Sequence, residues 1–331
     1  MQDSENYNPV RIKTTTCEIT FANRWDHFLA RLGIKRNERR VEPGLYKIGN
    51  PTSESPVFVT ANYRLSFDAL RSNLSGIDGY ILVLNTFGIN IWCAAGKGTF
   101  GTGELIRQIN ETELLKVIDH KKLILPQLGA AGVSAHRVKN QTGFNIEYGP
   151  VFANDLKDYL KTHLATPEMR KVKFSLKDRF VLIPVELTHF ILPMALAAVM
   201  VYFISGYLPM LSIIAATLAG VVLFPILLPW LPTADFSSKG FILGVLIASP
   251  FIFLTFTNSS SGIWQKAGIS LSYFLILPAV TAFLTLNFTG STTFTSRSGV
   301  EKEIFTYFPI MVWMFGIGLL LSLSLIFTNL F

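Results

Sequence analysis

The residues best suited to chemistry in this chain of 331 lie in one stretch, Asn90-Ile91-Trp92-Cys93-Ala94-Ala95-Gly96-Lys97-Gly98-Thr99-Phe100-Gly101-Thr102-Gly103. Four glycines fall in the eight positions 96–103, and glycine lets a backbone approach a flat or anionic group without a Cβ clash. Gly96 to Gly101 spell a literal G-x-G-x-x-G, with Asp119 about 20 residues on, which is the dinucleotide-binding pattern. Asp119, however, falls in a stretch that reads as helix rather than at a strand end. A P-loop is excluded, because Gly98 follows Gly96-Lys97 where Ser or Thr is required, and residue 91 is not glycine. The second centre is Cys93. It is either a small core thiol or a working thiolate, which Lys97 or a helix N-terminus would favour. A single cysteine cannot build a structural zinc site, and Cys17 stands far from it in sequence.

The elements around this stretch alternate between strand and helix. Residues 57–60 and 80–84 are apolar β-type runs, and 123–126 is another; continuous runs of this kind are buried in parallel sheets. Residues 66–71 predict a helix capped by Ser66, 112–120 a helix capped by Thr112, and 155–164 a last helix. The pattern predicts an α/β domain with a mainly parallel sheet, whose ligands bind at the carboxyl ends of the strands. The glycine stretch follows such an end. Residues 1–55 predict an extension of unclear structure, apart from a short amphipathic helix over 25–32. Arg36, Arg39 and Arg40 read as a solvated face, without the interleaved aromatics that nucleic-acid binding calls for. The domain proper is placed at 56–165, followed by a basic juxtamembrane linker at 166–184.

The rest of the chain is written for a different solvent. Only 15% of all residues are charged and the mean hydropathy is +0.41, against about 25% charged in ordinary soluble domains. Residues 1–180 hold 25 of the 29 Lys and Arg and 18 of the 22 Asp and Glu, so the net charge of +7 sits entirely there. Residues 185–331 predict an all-α transmembrane domain of five spans, at 185–205, 208–231, 240–257, 267–288 and 304–327, each near the roughly 20 residues that a bilayer requires. Arg170, Lys171, Lys173, Lys177 and Arg179 precede the first span. That bias places the α/β domain in the cytoplasm and the C-terminus outside, with Lys239, Arg297 and Lys302 inside and Lys266 outside. The start, residues 1–6, is polar and acidic and shows no secretory signal. Two cysteines suit a reduced compartment and exclude a disulfide framework. Glu186 and His189 are the ionisable candidates within the spans and read as an interfacial pair. The bundle is read mainly as an anchor.

The run Asn90 to Lys97, continued by Gly98-Thr99-Phe100-Gly101-Thr102, closely resembles the cap-helix signature of the mercury-methylating corrinoid protein family, HgcA. The resemblance extends to Leu125-Pro126-Gln127-Leu128-Gly129-Ala130 and to Tyr148-Gly149-Pro150-Val151. It covers nearly the whole chain from about residue 56, because that family also joins a corrinoid domain to a membrane domain of about five helices. Ile91 stands where valine is common, a change of one methyl. The domain is also similar to the corrinoid domain of the corrinoid iron–sulfur protein of acetyl-CoA synthesis, in which cobalt has no cysteine ligand.

The resemblance implies a cobamide cofactor bound base-off, with Cys93 thiolate as the lower axial ligand of cobalt. It implies that Asn90, Trp92, Ala94, Ala95, Gly96, Gly98 and Gly101 shape a surface that lies close against the corrin, and that Lys97, Thr99 and Thr102 bond its amide substituents, although capping or packing also accounts for those three. The activity implied is methyl transfer to Hg(II), giving methylmercury. A ferredoxin-like partner with two [4Fe-4S] clusters is implied as electron donor, since two cysteines are too few for a cluster in this chain. The methyl source expected is a methylated folate acting through another enzyme. The D-x-H-x-x-G motif of His-on cobalamin proteins is absent, because Asp26-His27 and Asp119-His120 have the wrong spacing. Two other readings stand beside this one: a membrane-tethered dinucleotide-binding oxidoreductase, and a non-enzymatic transport or sensor protein whose soluble domain only binds a ligand.

Overall fold

Six strands form one twisted sheet in the order β1-β2-β4-β3-β5-β6. The computed structural model describes residues 11–258, 261–292, 295 and 297–328; the acidic start at 1–6 and the last three residues lie outside them. Strands β3 (Val57–Ala61), β4 (Gly79–Leu84), β5 (Lys122–Leu125) and β6 (Asn145–Tyr148) run parallel. On the other side, β2 (Gly44–Ile48) pairs antiparallel with β4, and β1 (Lys13–Thr15) runs alongside β2. The stretch 1–55, expected as an extension, thus supplies two strands of the sheet itself. Its short polar β1 carries no apolar alternation for a reader to see.

Alternate strand residues feed two cores. Val59, Leu82, Leu84 and Leu125 pack with α3 (Ile91–Lys97), α4 (Thr102–Glu111) and α5 (Ala135–Thr142) on one face. Phe58, Ile81, Val83 and Ile124 pack with α2 (Arg64–Asn73) and α6 (Leu156–Thr162) on the other. All residues of β3 and β4 are buried, which explains their continuous apolar runs.

Several boundaries differ from the sequence expectation. The helix expected at 25–32 is α1 (Phe21–Arg31), which starts earlier because Thr20 and Asn23 form a reciprocal capping box. Ser66 lies inside α2, whose N-cap is Tyr63. Thr112 ends α4 rather than opening a helix: its hydroxyl donates to Gln108 O at 2.7 Å, and Glu113 turns the chain with φ +47°. Residues 112–120 hold only a 3-10 turn, Leu114–Lys116. The last helix of this unit is shorter than expected, closed by His163 at φ +55°.

The chain divides into two compact units at Lys173/Phe174. The second is a bundle with five stretches long and apolar enough to cross a membrane: Leu176–Ser205, Tyr207–Leu227, Phe236–Thr257, Ile263–Ser291 and Ser298–Phe327. They comprise α7 (Leu176–Ser205), α8 (Tyr207–Leu218) continued through a π-helical turn into α9 (Phe224–Leu227), α10 (Phe236–Asn258), α11 (Ile263–Phe288) and α12 (Arg297–Thr328). The first begins well before residue 185, because Ser175 and Asp178 cap α7 within the basic segment. The fourth stretch is the most enclosed, 61% buried against 6% for the first. Helix α10 approaches it closely through Gly240, against Ala282 and Thr285, and Gly244, against Pro278; small residues four apart permit such contact. Glu186 accepts a hydrogen bond from Ser291.

Candidate functional site

The glycine stretch sits at the carboxyl end of β4, and the loop leading into it is pinned from β3. Asn62, one residue past β3, is 1% exposed. Its Oδ1 accepts the N–H groups of Thr86 and Gly88, both at 3.0 Å, while Thr86 Oγ1 lies 2.9 Å from it. Gly88 (φ +75°) is obligatory, since a Cβ there would meet Asn37 O at 2.2 Å. Glu104 Oε1 accepts the Asn85 N–H at 2.7 Å from α4. These bonds leave the 85–90 loop few alternatives and fix where α3 begins.

Helix α3 has seven residues. Asn90 is its N-cap, and Asn90 Oδ1 accepts the Cys93 N–H at 2.9 Å. Ala94 and Ala95 are buried in the sheet core and press the helix down. Ala95 lies so close to the loop after β5 that a Cβ on Gly132 would come within 3.0 Å of its Cα. Phe100, fully buried, is covered by Gly129, where a Cβ would meet its ring at 2.4 Å. The outer side of α3 is different. Trp92 and Cys93 are half-buried, and Gly96, Lys97 and Gly98 are exposed. Cys93, Gly96 and Lys97 are spaced i, i+3 and i+4, hence on one face. Gly98 ends the helix at φ +81°, which accounts for its being glycine. Gly96 has ordinary helical backbone, and a Cβ there would meet nothing within 4 Å. The protein's own packing therefore gives no reason for glycine at 96.

The two hydroxyls in the stretch have internal duties. Thr102 Oγ1 accepts the Ser134 N–H at 2.8 Å, and Thr99 Oγ1 lies 3.4 Å from Ala94 O. Gly101 is the N-cap of α4; a Cβ there would meet Gly98 O at 2.5 Å. The loops after β5 and β6 close the same end of the sheet. Tyr148 Oη donates to Val133 O at 2.6 Å, Gly149 N to Leu125 O at 2.8 Å, and Gln127 N to Pro150 O at 3.3 Å. Burial pushes the Tyr148 phenol up, which keeps it a donor. All three segments singled out in the sequence thus meet at one edge. Asn62 and Glu104 position the site and escaped sequence reasoning; a lone Asn after a strand and a surface-type Glu carry no motif.

The dinucleotide pattern does not survive. Gly96 lies within a helix, Gly98 at its C-cap and Gly101 at the next N-cap, a helix–turn–helix rather than a strand–turn–helix. Asp119 precedes β5 and takes the Ser53 hydroxyl, at the opposite end of the sheet from the glycines. Both cysteines are free, and Cys17 packs with the core on the other face of the sheet. Among the described residues no three His, Cys, Asp or Glu gather as a metal site. A macrocycle that brings four nitrogens of its own needs only one protein donor, and a thiol that is not fully buried, beside an unexplained glycine, fits that need.

The comparisons with known proteins fall on this same unit. The acetyl-CoA decarbonylase/synthase complex subunit gamma of Archaeoglobus fulgidus is 33% identical over 128 residues, 38% of this chain and 27% of that protein. The corresponding subunit of Methanopyrus kandleri is 33% identical over 129 residues, again 38% and 27%. The corrinoid/iron-sulfur protein large subunit of Moorella thermoacetica is 26% identical over 129 residues, 38% of this chain and 28% of that protein. The chain spans about a quarter of the length of these curated relatives. Residues 35–160, from just ahead of β2 through most of α6, match the family described as CO dehydrogenase/acetyl-CoA synthase delta subunit, CdhD, so the α/β unit is homologous to a domain of these proteins.

Proposed function

We propose that this chain is a membrane-anchored corrinoid protein that transfers a methyl group to Hg(II), with the Cys93 thiolate as the lower axial ligand of a base-off cobamide. The observation that carries the corrinoid reading is the outer face of α3, where half-buried Cys93 shares a side with Gly96, a glycine that no protein contact requires. The domain homology supports it, one relative being named a corrinoid protein. Mercury as acceptor rests on the resemblance of residues 90–102 to the mercury-methylating family.

A cobamide held there would supply a metal able to hand a methyl group to an electrophile. The residues do the rest. Cys93 would hold the metal as a thiolate and would enrich it in electron density, as protein ligands tune other macrocycles. Asn90 holds the first turn through the Cys93 N–H, so that the donor does not swing. Ala94, Ala95 and Phe100 anchor the inner side of the segment. Gly96 and Gly98 keep the outer side flat, and Lys97 offers an ammonium donor to the amide substituents of the ring. Trp92, one residue before the thiol and half-buried like it, belongs to the same proposed cobamide surface.

Two cysteines cannot ligate an iron–sulfur cluster, so low-potential electrons come from a separate ferredoxin-like protein with two [4Fe-4S] clusters. A methylated folate, through another enzyme, is the methyl source. The five apolar stretches hold the α/β unit at the cytoplasmic face of the cell membrane, with the C-terminus outside.

The test is an anaerobic cobalamin titration of the full chain in detergent, read by visible absorption and EPR, beside Cys93→Ala. Wild type is expected to bind base-off with a thiolate–cobalt spectrum that Cys93→Ala lacks. Identical spectra would remove Cys93 from the metal. Labelled Hg(II), offered with the methylated cofactor and a reduced ferredoxin, then tests the acceptor; a bound corrinoid that yields no methylmercury would move the methyl group to another acceptor.

A further inference from the structure

Charge is scarce after residue 180, and what there is converges. Eight charged residues lie in 181–331. Four of them, Asp235, Lys239, Lys302 and Glu303, line one cavity of about 930 Å³, and Arg179 from the first turn of α7 joins them. The cavity lies at the end of the bundle where α7, α10 and α12 begin. Ionisable groups in apolar bundles are costly and mark cavities that bind or conduct.

The acidic groups already have donors. Glu303, 8% exposed, caps α10 from α12: its carboxylate accepts the N–H groups of Phe236 at 3.2 Å and Ser237 at 3.0 Å and the Ser237 hydroxyl at 2.9 Å. Asp235 accepts the Tyr307 hydroxyl at 2.9 Å. The cations are matched differently. Arg179, 5% exposed, donates to Pro225 O at 2.9 Å and Ile226 O at 2.7 Å, and Lys239 to Leu228 O at 3.0 Å. Those carbonyls belong to the C-terminal end of α9, and they are neutral. One of the three protons of the Lys239 ammonium is used in this way. Three cations against two carboxylates leave the wall with a net positive charge.

We propose that this cavity binds a phosphate group carried on a larger molecule, with Lys239 and Lys302 as its donors. The positive remainder selects an oxyanion, and ammonium groups serve as point charges for phosphate. The volume, near the top of the range of about 300–1,000 Å³ for small-molecule sites, is too large for an inorganic ion alone. Phe174, Leu228 and Phe236 offer apolar wall to the rest of the ligand. The phosphate belongs either to a lipid headgroup or to a soluble ester. The site lies wholly in the helical unit, so its failure leaves the corrinoid reading untouched.

The experiment uses the full chain in dodecyl maltoside, a detergent without phosphate. One arm adds phosphatidylglycerol and reads bound lipid by native mass spectrometry; the other titrates glycerol 3-phosphate by calorimetry. Wild type should bind one of the two probes saturably at a single site, and the arm that responds names the source. Lys302→Gln should weaken that binding about tenfold, the loss of one charge-assisted hydrogen bond, and Lys239→Gln with Lys302→Gln further. Lys302→Gln alone keeps the test valid if removing the Lys239 bond to Leu228 disturbs the fold. Lys266→Gln, whose ammonium bonds Phe256 O outside the cavity, should bind as wild type. Saturable binding of neither probe, equal binding by wild type and Lys302→Gln, or equal weakening by Lys266→Gln would overturn the proposal.

Discussion

Gly96 separates stability from function at a single residue. Glycine within a helix is less stable than alanine by about 0.5–1 kcal/mol, and a methyl at 96 would meet no protein atom. Gly96→Ala is therefore expected to raise the melting temperature of the cofactor-free protein slightly while weakening cobalamin binding, and Gly96→Leu to weaken binding further. Thermal melts beside titrations check this; unchanged affinity in both variants would place the corrin elsewhere. Asn90→Ala should cost about 1 kcal/mol, the usual worth of an N-cap, and broaden the thiolate–cobalt signal as the first turn of α3 loosens. The identities at 90–102 were legible because residue types clustered there. Whether Thr102 faced a ligand was not legible, since its bond to Ser134 joins residues far apart in sequence.

At the scale of elements, α1 and α2 meet over a buried charge. Asp68, 0% exposed, bonds Arg71 at 2.6 Å and His27 at 2.7 Å, and Arg71 also donates to Thr16 O and Glu18 O, both at 2.6 Å. Burial pushes the Asp68 carboxyl up, but the bonds from His27 and Arg71 outweigh it and hold it below the ordinary carboxylate value. The folded state then binds this proton more weakly than the unfolded chain. Its contribution to stability is intact above about pH 4 and is lost as pH falls through the lowered folded value. Asp68→Ala should destabilise the unit by about 3–5 kcal/mol, because Arg71 is left buried without its acid, and should flatten the acid limb of a pH series of denaturation midpoints. An acid limb as steep as that of wild type would assign the acid sensitivity to other groups. The continuous apolar runs of β3, β4 and β5 were plain in the sequence. Helix α4 was not, because Gly101 and Gly103 at its start read as loop, and β1 was not, because Lys13–Thr15 gains its place from Tyr46 to Ile48 rather than from its own pattern.

The whole chain combines two units with one crossing at Lys173/Phe174. The core of the first closes without the bundle, so a chain ending at Lys173 is expected to fold and bind cobalamin in vitro yet fail to methylate mercury in cells. Wild-type cellular activity from that fragment would make the bundle dispensable. The five apolar stretches were legible from hydropathy alone, since lipid constrains composition more than it constrains order. The cavity was not, because Arg179, Lys239 and Glu303 are distant in sequence and only the packing of α7, α10 and α12 gathers them.

The partial exposure of Cys93 also sets an order of events. A thiolate that suits cobalt is equally a trap for a soft cation; Cys17, the only other cysteine, is buried to the same degree but packs with the core on the other face of the sheet, away from the glycine stretch. Mercuric ion that reaches the empty protein is expected to be captured at Cys93 and to block loading, so under the proposed function the acceptor would inhibit its own catalyst. Premixing with Hg(II) should abolish later uptake of cobalamin, and excess small thiol should restore it; loading the cofactor first should protect. In a cell, exposure to mercury before the protein matures would then silence the activity that mercury given afterwards reveals.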